Sequence, residues 1–233
     1  MLNYSRKSPF NLNSKSTILN FILTKEDIRS SLFYGFVFKR LFDILLASII
    51  LLIVAIPMLA IVAIIKLDSP GSVFFSQPRV GLQGKQFKVL KLRTMVENAD
   101  SLQAKLENSN EIEGGVLFKI KEDPRITRVG KYLRRYSIDE IPQLINVIKG
   151  DMSLVGPRPL TIRDSSKLPP EQFVRYQVLP GVTGMWQVYG RSNTNSKQLY
   201  LYDRFYISRW SLKLDLAILL KTVLVVIEGR GAY

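Results

Sequence analysis

"KRLFDILLASIILLIVAIPMLAIVAIIKLDSPG", residues 39–71, is the stretch that decides the architecture. No charge stands between Asp43 and Lys66, a run of 22 residues. As a helix it is roughly 33 Å long, enough to cross a bilayer. Core helices of water-soluble domains are rarely so long and so uniformly apolar, so the run is predicted to enter a membrane. Pro57 falls a little past its middle, removes one helical hydrogen bond and favours a break. Both flanks are basic: Lys39 and Arg40 before it, then Lys66, Arg79, Lys85, Lys88, Lys91 and Arg93. Positive charge marks cytoplasmic flanks, so the two ends are not assigned to opposite sides. Two readings stay open. One is a kinked transmembrane helix; the other is a helix that breaks at Pro57 and returns to the face it entered.

Composition narrows the chemistry. The 233 residues are 47% hydrophobic and 22% charged, a balance that supports a packed core. Lys and Arg number 33 against 19 Asp and Glu, a formal charge of +14 that calls for anionic partners. Cys and His are absent, which excludes disulfides, thiolate or imidazole metal sites and His-based triads. A metal here must be held by oxygen, which favours Mg²⁺ or Mn²⁺. Asp and Glu remain as the main nucleophiles and bases.

Outward from the apolar run, residues 1–38 read as a loose lead-in with a short helix near "KEDIRSSLFYGF". They do not read as a secretory signal, having no apolar core near their start. On the other side, "SVFFSQPRVGLQGKQFKVLKLRTM" reads as a β-hairpin turned by "GLQGK". Phe87, Val89, Lys91 and Arg93 share one parity on its second strand. "GLQGK" is not a P-loop, because Arg79 and Gln86 stand where Gly and Ser or Thr are needed. "VENADSLQAKLENSN" is weakly amphipathic, and Val116, Phe118 and Ile120 alternate as a short strand. "RITRVGKYLRRYS" has helical spacing. "IPQLINVIKG" places Ile141, Leu144, Ile145 and Ile148 on one helical face, closed by Gly150. "WSLKLDLAILLKTVLVVIEG", interrupted by Asp215 and Lys221, suits a packed or interface-lying helix better than a second span.

Between these helices lies "RRYSIDEIPQLINVIKGDMSLVGPRP", residues 134–159. Ser137 to Glu140 has the form of a capping box. Pro142 argues against it, since it has no amide hydrogen to give the carbonyl of Ile138. With the cap moved to Asp139, Pro142 falls in the first turn, where no donor is needed. Asp139 and Glu140 would then sit at a helix N-terminus beside Arg134 and Arg135, a field that stabilises carboxylates and attracts phosphate. Capping alone and catalysis, with one acid as nucleophile and its neighbour as Mg²⁺ ligand, both stay open. Arg158, held between Pro157 and Pro159, is stiffly mounted and suited to bidentate phosphate contact. No Asp-X-Asp occurs, so the metal–nucleotide motif common in sugar-nucleotide glycosyltransferases is missing.

Taken together, the apolar run with its hairpin, "EDPRITRVGKYLRRYSIDEIPQLINVIKGDMSLVGPRP", "VLPGVTGMWQVYGR" and "YISRWSLKLDLAILLKTV" resemble the bacterial sugar transferase family, the polyprenyl-phosphate hexose-1-phosphate or monotopic phosphoglycosyl transferases. The pieces stand in the family's order over about residues 38–227. The resemblance implies an α+β, helix-rich protein. Residues 39–67 would form a re-entrant membrane helix broken at the proline. Residues 68–233 would form a cytosolic catalytic domain with a β-hairpin and amphipathic interface helices, on the cytoplasmic face of the bacterial inner membrane. It implies transfer of a sugar-1-phosphate from a UDP-sugar to polyprenyl phosphate, with release of UMP, in exopolysaccharide or related synthesis. Asp139 matches the family nucleophile and Glu140 the Mg²⁺ ligand. Lys91, Arg134 and Arg158 match basic residues around the phosphates, and Asp123 and Arg125 match a further motif. Glucose or galactose is the expected sugar, nucleic acid is not an expected partner, and a homo-oligomer is compatible with the pattern. Two departures stand out. Ile56 replaces a Ser found in some members before the proline, which implies a shallower break. Larger members also carry a multi-helix N-terminal domain where this chain has about forty residues.

Overall fold

In a computed structural model the described residues are 25–103, 120, 123–190 and 196–229. The chain divides into residues 1–39 and 40–233, and the packing below concerns the second unit. The first element, α1 (Lys25–Asp68), contains the whole apolar run, with Pro57 inside it. The helix expected over "KEDIRSSLFYGF" is the start of α1 rather than a separate element. The rest of the lead-in lies outside the described residues.

One stripe of α1 is covered. Asp43, Ala47 and Ile65 are buried. Phe42, Leu46, Ile50 and Leu51 pack into one core cluster, and Met58, Ile61 and Val62 into a second. The steps of three and four residues keep these positions on one side of a 3.6-residue helix. The other side is bare: Leu52 is 77% exposed, Ile56 81% and Leu67 88%. That much contiguous apolar surface marks a surface made for lipid or a partner.

The hairpin follows as β1 (Phe74–Val80) and β2 (Gln86–Leu92), antiparallel, with Phe74 opposite Leu92 and Val80 opposite Gln86. Its turn is a 3₁₀ segment, Leu82–Gly84, as the "GLQGK" reading required. Then come α2 (Ala99–Gln103), α3 (Arg128–Arg135), a 3₁₀ turn at Ile138–Glu140, α4 (Gln143–Lys149) and β3 (Ser153–Val155). After β4 (Leu160–Thr161) and α5 (Ile162–Ser166), a 3₁₀ stretch Pro170–Gln177 leads to β5 (Gly181–Thr183) and α6 (Met185–Tyr189). The last elements are α7 (Ser196–Arg209) and α8 (Leu212–Glu228). The strands form a three-stranded antiparallel sheet, β2-β1-β4, and a parallel pair, β3-β5. The strand expected over Val116–Ile120 falls outside the described residues, except Ile120.

One sequence expectation needs correction. On α4 the buried side chains are Gln143, Leu144, Asn146 and Val147, while Ile145 and Ile148 are 38% and 39% exposed. Polar residues displace the isoleucines because β2 needs a partner along its open edge. Asn146 supplies it: Oδ1 accepts from the Leu90 amide at 3.0 Å and Nδ2 donates to the Lys88 carbonyl at 2.8 Å. Lys91 and Arg93, read as sharing one parity, find different partners. β2 ends at Leu92, and Arg93 turns to the C-terminus of α1. There it donates to the carbonyls of Ser69, at 2.6 Å, and Pro70, just past the end of that helix. Gly150 closes α4 with φ +99°, as expected.

Candidate active site

The acidic pair is mounted differently from either reading of the sequence. Ser137 adopts left-handed backbone (φ 53°) and its hydroxyl caps nothing. Ile138–Glu140 then form the 3₁₀ turn, and Pro142, not Asp139, is the residue that starts α4. Pro142 fits there because its missing amide faces no carbonyl in need. Both acids therefore precede α4 on a tight turn held between α3 and the hairpin.

Three cations converge on that turn. Lys91 Nζ, near the end of β2, lies 2.7 Å from Glu140 Oε1 and 3.7 Å from Asp139 Oδ2. Arg158 Nη2 approaches the same Glu140 oxygen at 3.1 Å, and its guanidinium stands 5.6 Å from the centre of the Trp186 ring. Arg134 is steered by Thr94, whose Oγ1 accepts from Nε at 2.9 Å. That placement depends on Gly130: a Cβ there would meet the Thr94 carbonyl oxygen at 2.1 Å, so only glycine lets α3 lie this close.

The Gly156–Pro159 loop is pinned on several sides. The Gly156 amide donates to the Thr183 carbonyl and Gly181 to Pro157. Arg79 Nη1 donates to the Pro159 carbonyl at 3.1 Å, and Arg175 donates to the carbonyl of Arg158 itself. Arg175 is in turn paired with buried Asp203 of α7 at 3.3 Å. The aim of Arg158 is thus fixed from β1, β5 and α7 at once.

These surroundings drive the two carboxylates apart. Burial pushes the Glu140 carboxyl up, but the charges and hydrogen bonds of Lys91 and Arg158 outweigh it and hold Glu140 well below the usual range. For Asp139, burial dominates. Lys91, Arg134 and Arg158 oppose it, Glu140 reinforces it, and the net direction is upward. Adjacent acids with opposite shifts suit different roles: Glu140 is a fixed anion, and Asp139 is the more basic and so the more nucleophilic oxygen.

Asp123 and Arg125 are placed against each other beside α2. Arg125 Nε and Nη2 reach the Asp123 carboxylate at 2.9 and 2.6 Å, and Nη1 donates to the Ala99 carbonyl. Burial raises the Asp123 pKa, but these bonds overcome it and lower it overall. Arg134 bears electrostatically on both Asp123 and Asp139, which makes it the link between this pair and the acidic turn.

The sequence profile of the bacterial sugar transferases matches residues 34–229. The chain belongs to the bacterial sugar transferase family. Among its relatives, the exopolysaccharide production protein ExoY of Sinorhizobium fredii is 39% identical over 85% of this chain and 89% of its own. The UDP-glucose:undecaprenyl-phosphate glucose-1-phosphate transferase of Caulobacter vibrioides is 43% identical over 84% of this chain and 72% of its own. The undecaprenyl-phosphate galactose phosphotransferase of Salmonella typhimurium is 40% identical over 84% of this chain but only 41% of its own. This sugar transferase therefore corresponds to part of the longer relatives. Reading the sequence alone passed over Arg79, Gln143, Arg175 and Asp203. Arg79 looked like one more flanking charge, and Arg175 and Asp203 are brought together only by the fold.

Proposed function

We propose that this sugar transferase moves a hexose-1-phosphate from a UDP-sugar to polyprenyl phosphate, releasing UMP, by way of Asp139. The observation that carries the reading is the turn itself: a buried, upward-shifted carboxylate beside a fixed one, with Lys91, Arg134 and Arg158 around them. Relatives named for glucose-1-phosphate and galactose phosphate transfer support the donor class.

In the first step an Asp139 oxygen bonds to the sugar-bearing phosphorus. The bond from that phosphorus to the bridging oxygen breaks, and UMP leaves with the electron pair. In the second step a polyprenyl phosphate oxygen attacks the same phosphorus and Asp139 departs as carboxylate. Lys91, Arg134 and Arg158 hold the phosphoryl charge in both steps. Splitting the transfer removes the need to hold two anionic substrates together.

Two adjacent carboxylates with oxygen donors only fit Mg²⁺, which takes one or two carboxylates and completes its shell from phosphate and water. Glu140, with Asp139 beside it, would hold the ion. When bound it supplies charge neutralisation at the diphosphate.

The site belongs at the cytoplasmic face, with α1 re-entrant. The domain that carries Lys91 covers α1 near Asp43 and again near Ile65, which supports both ends lying on one side of the bilayer. Exposed Leu216, Leu220, Val223, Leu224 and Ile227 on α8 suit a helix lying in the interface. The deciding experiment supplies polyprenyl phosphate and a panel of UDP-sugars and identifies the nucleotide released. UMP is expected, and UDP would mean transfer of sugar without phosphate.

A further inference from the structure

Arg79 has a guanidinium with no carboxylate to match it. It is partly buried on β1. Its hydrogen bonds go to neutral oxygens, Gln77 Oε1 at 2.6 Å and the Pro159 carbonyl at 3.1 Å, and among the described residues it makes no ion pair. Burial, with Arg158 nearby, pulls its pKa down to about 10, a cost that Asp164 and Glu140 only partly offset. The one nearby carboxylate oxygen that Arg158 uses is already shared with Lys91. Arg79, Lys91 and Arg158 line a single depression with Val89, Gln143 and Pro159. Gln143 adds an independent sign. The residue is only 3% exposed, and it lines the same depression. A carboxamide at the wall of a cationic hollow adds a neutral donor for an anion held there. The partner that suits the Arg79 guanidinium, with Arg158, Lys91 and an amide around it, is an oxyanion, and phosphate is the group that arginine forks match best.

Resting on the reading of Asp139 as nucleophile, we propose that Arg79 and Gln143, with Arg158, form a phosphate subsite occupied in turn by the phosphate of departing UMP and the phosphate of the incoming polyprenyl acceptor. The geometry of substitution at phosphorus requires such sharing. The leaving oxygen departs opposite the attacking one. UMP therefore leaves on the side away from Asp139. To expel Asp139 in the second step, the lipid phosphate attacks from that same side. One cradle serves both, and the shared chemistry is the phosphate monoester. Neutral partners on Arg79 suit this use, because a guanidinium not locked to a carboxylate can meet two anions in succession.

The test measures binding, not turnover, in the full-length Asp139→Asn protein in detergent. The probes are UMP against uridine and a polyprenyl phosphate against its polyprenol. Adding Arg79→Gln or Gln143→Leu should weaken UMP and polyprenyl phosphate about tenfold or more and leave uridine and polyprenol unchanged. Gln143 makes none of the bonds that pin the Gly156–Pro159 loop, so Gln143→Leu reports on the subsite even if Arg79→Gln folds poorly. If only one of the two phosphates is weakened, sharing is wrong. If neither is weakened, or the phosphate-free probes weaken equally, the two residues merely hold the loop and the subsite is refuted. Because no covalent step occurs in this variant, these outcomes stand apart from the nucleotide-release experiment that tests the transfer reaction itself.

Discussion

Asp43, inside the apolar helix, accepts a hydrogen bond from Ser153 Oγ at 2.7 Å, across 110 residues of chain. Its other oxygen accepts from the Leu154 amide at 3.3 Å. β3 offers donors to a carboxylate that is 1% exposed in an apolar run, which makes its burial tolerable. The helix and the domain that carries the active site are thereby one folding unit at this point. Asp43→Ala takes an acceptor from the buried Leu154 amide and leaves the Ser153 hydroxyl only the Val155 carbonyl, and should cost about 1–3 kcal/mol. The expected reading is a clearly lowered melting temperature in detergent, with Asp43→Asn falling between the two. An unchanged melting temperature in Asp43→Ala would mean the contact contributes nothing to stability.

The covered stripe of α1 also predicts topology. With no cysteine in the chain, single-cysteine variants give clean labelling. Ser30→Cys and Lys85→Cys, either side of the apolar run, should both react with an impermeant maleimide from the cytoplasmic side of sealed vesicles. Labelling from opposite sides would make α1 a true span and remove the re-entrant reading.

Asp139→Asn should abolish UMP release while leaving the fold intact. The amide has the shape of the carboxylate but is a poor nucleophile. Burial disfavours the charge on Asp139, so its removal should not lower the melting temperature and could be read as a small rise. Near wild-type UMP release from this variant would refute covalent transfer through Asp139.

How far the chain could be read in advance depended on whether the signal was local. The apolar run, the "GLQGK" hairpin and the amphipathic spacing before Gly150 are local patterns, and each became an element. The acidic pair was recognisable, but its mounting was not. A left-handed Ser137 and a 3₁₀ turn have no reliable signature in residue types. Ile145 and Ile148 misled because apolar spacing assumes the core is the only thing a helix must face. On α4, the free edge of β2 demanded Asn146 instead. The longest-range parts were invisible: the Asp203–Arg175–Arg158 chain joins three segments that only the fold brings together.

That chain carries a pH signature. Burial raises the Asp203 pKa to about 6 against the opposing charge of Arg175. A carboxyl whose pKa is higher folded than unfolded binds its proton more tightly in the native state. Its contribution is therefore fully present below about pH 4 and is lost as pH rises through about 6, by roughly 3 kcal/mol. Asp203→Asn removes the titration. The melting-temperature difference, wild type minus Asp203→Asn, should fall between about pH 4 and pH 7 and then level off. A difference independent of pH would show that Asp203 does not titrate in this window.

The order of events gives the last prediction. Without any polyprenyl phosphate, the protein should release UMP from a UDP-sugar in a single burst of at most about one equivalent per site, and then stop. The reason is local. The Asp139 carboxylate can take the phosphosugar by itself, while Lys91 and Arg158, already anchored on Glu140, meet the charge that develops as UMP leaves. Burst release is the kinetic mark of a covalent intermediate. An enzyme that bound both substrates and transferred directly would release nothing until the lipid arrived. The protein recovered after the burst should have gained the mass of one phosphosugar, located at Asp139. The bond should be cleaved by hydroxylamine, as a mixed anhydride of carboxylate and phosphate is. Lipid added afterwards should discharge the adduct without releasing more UMP in the same turnover. If turnover with lipid is normal but neither burst nor adduct is found, transfer is direct. Asp139 would then act as a base on the lipid phosphate rather than as the atom that carries the sugar phosphate.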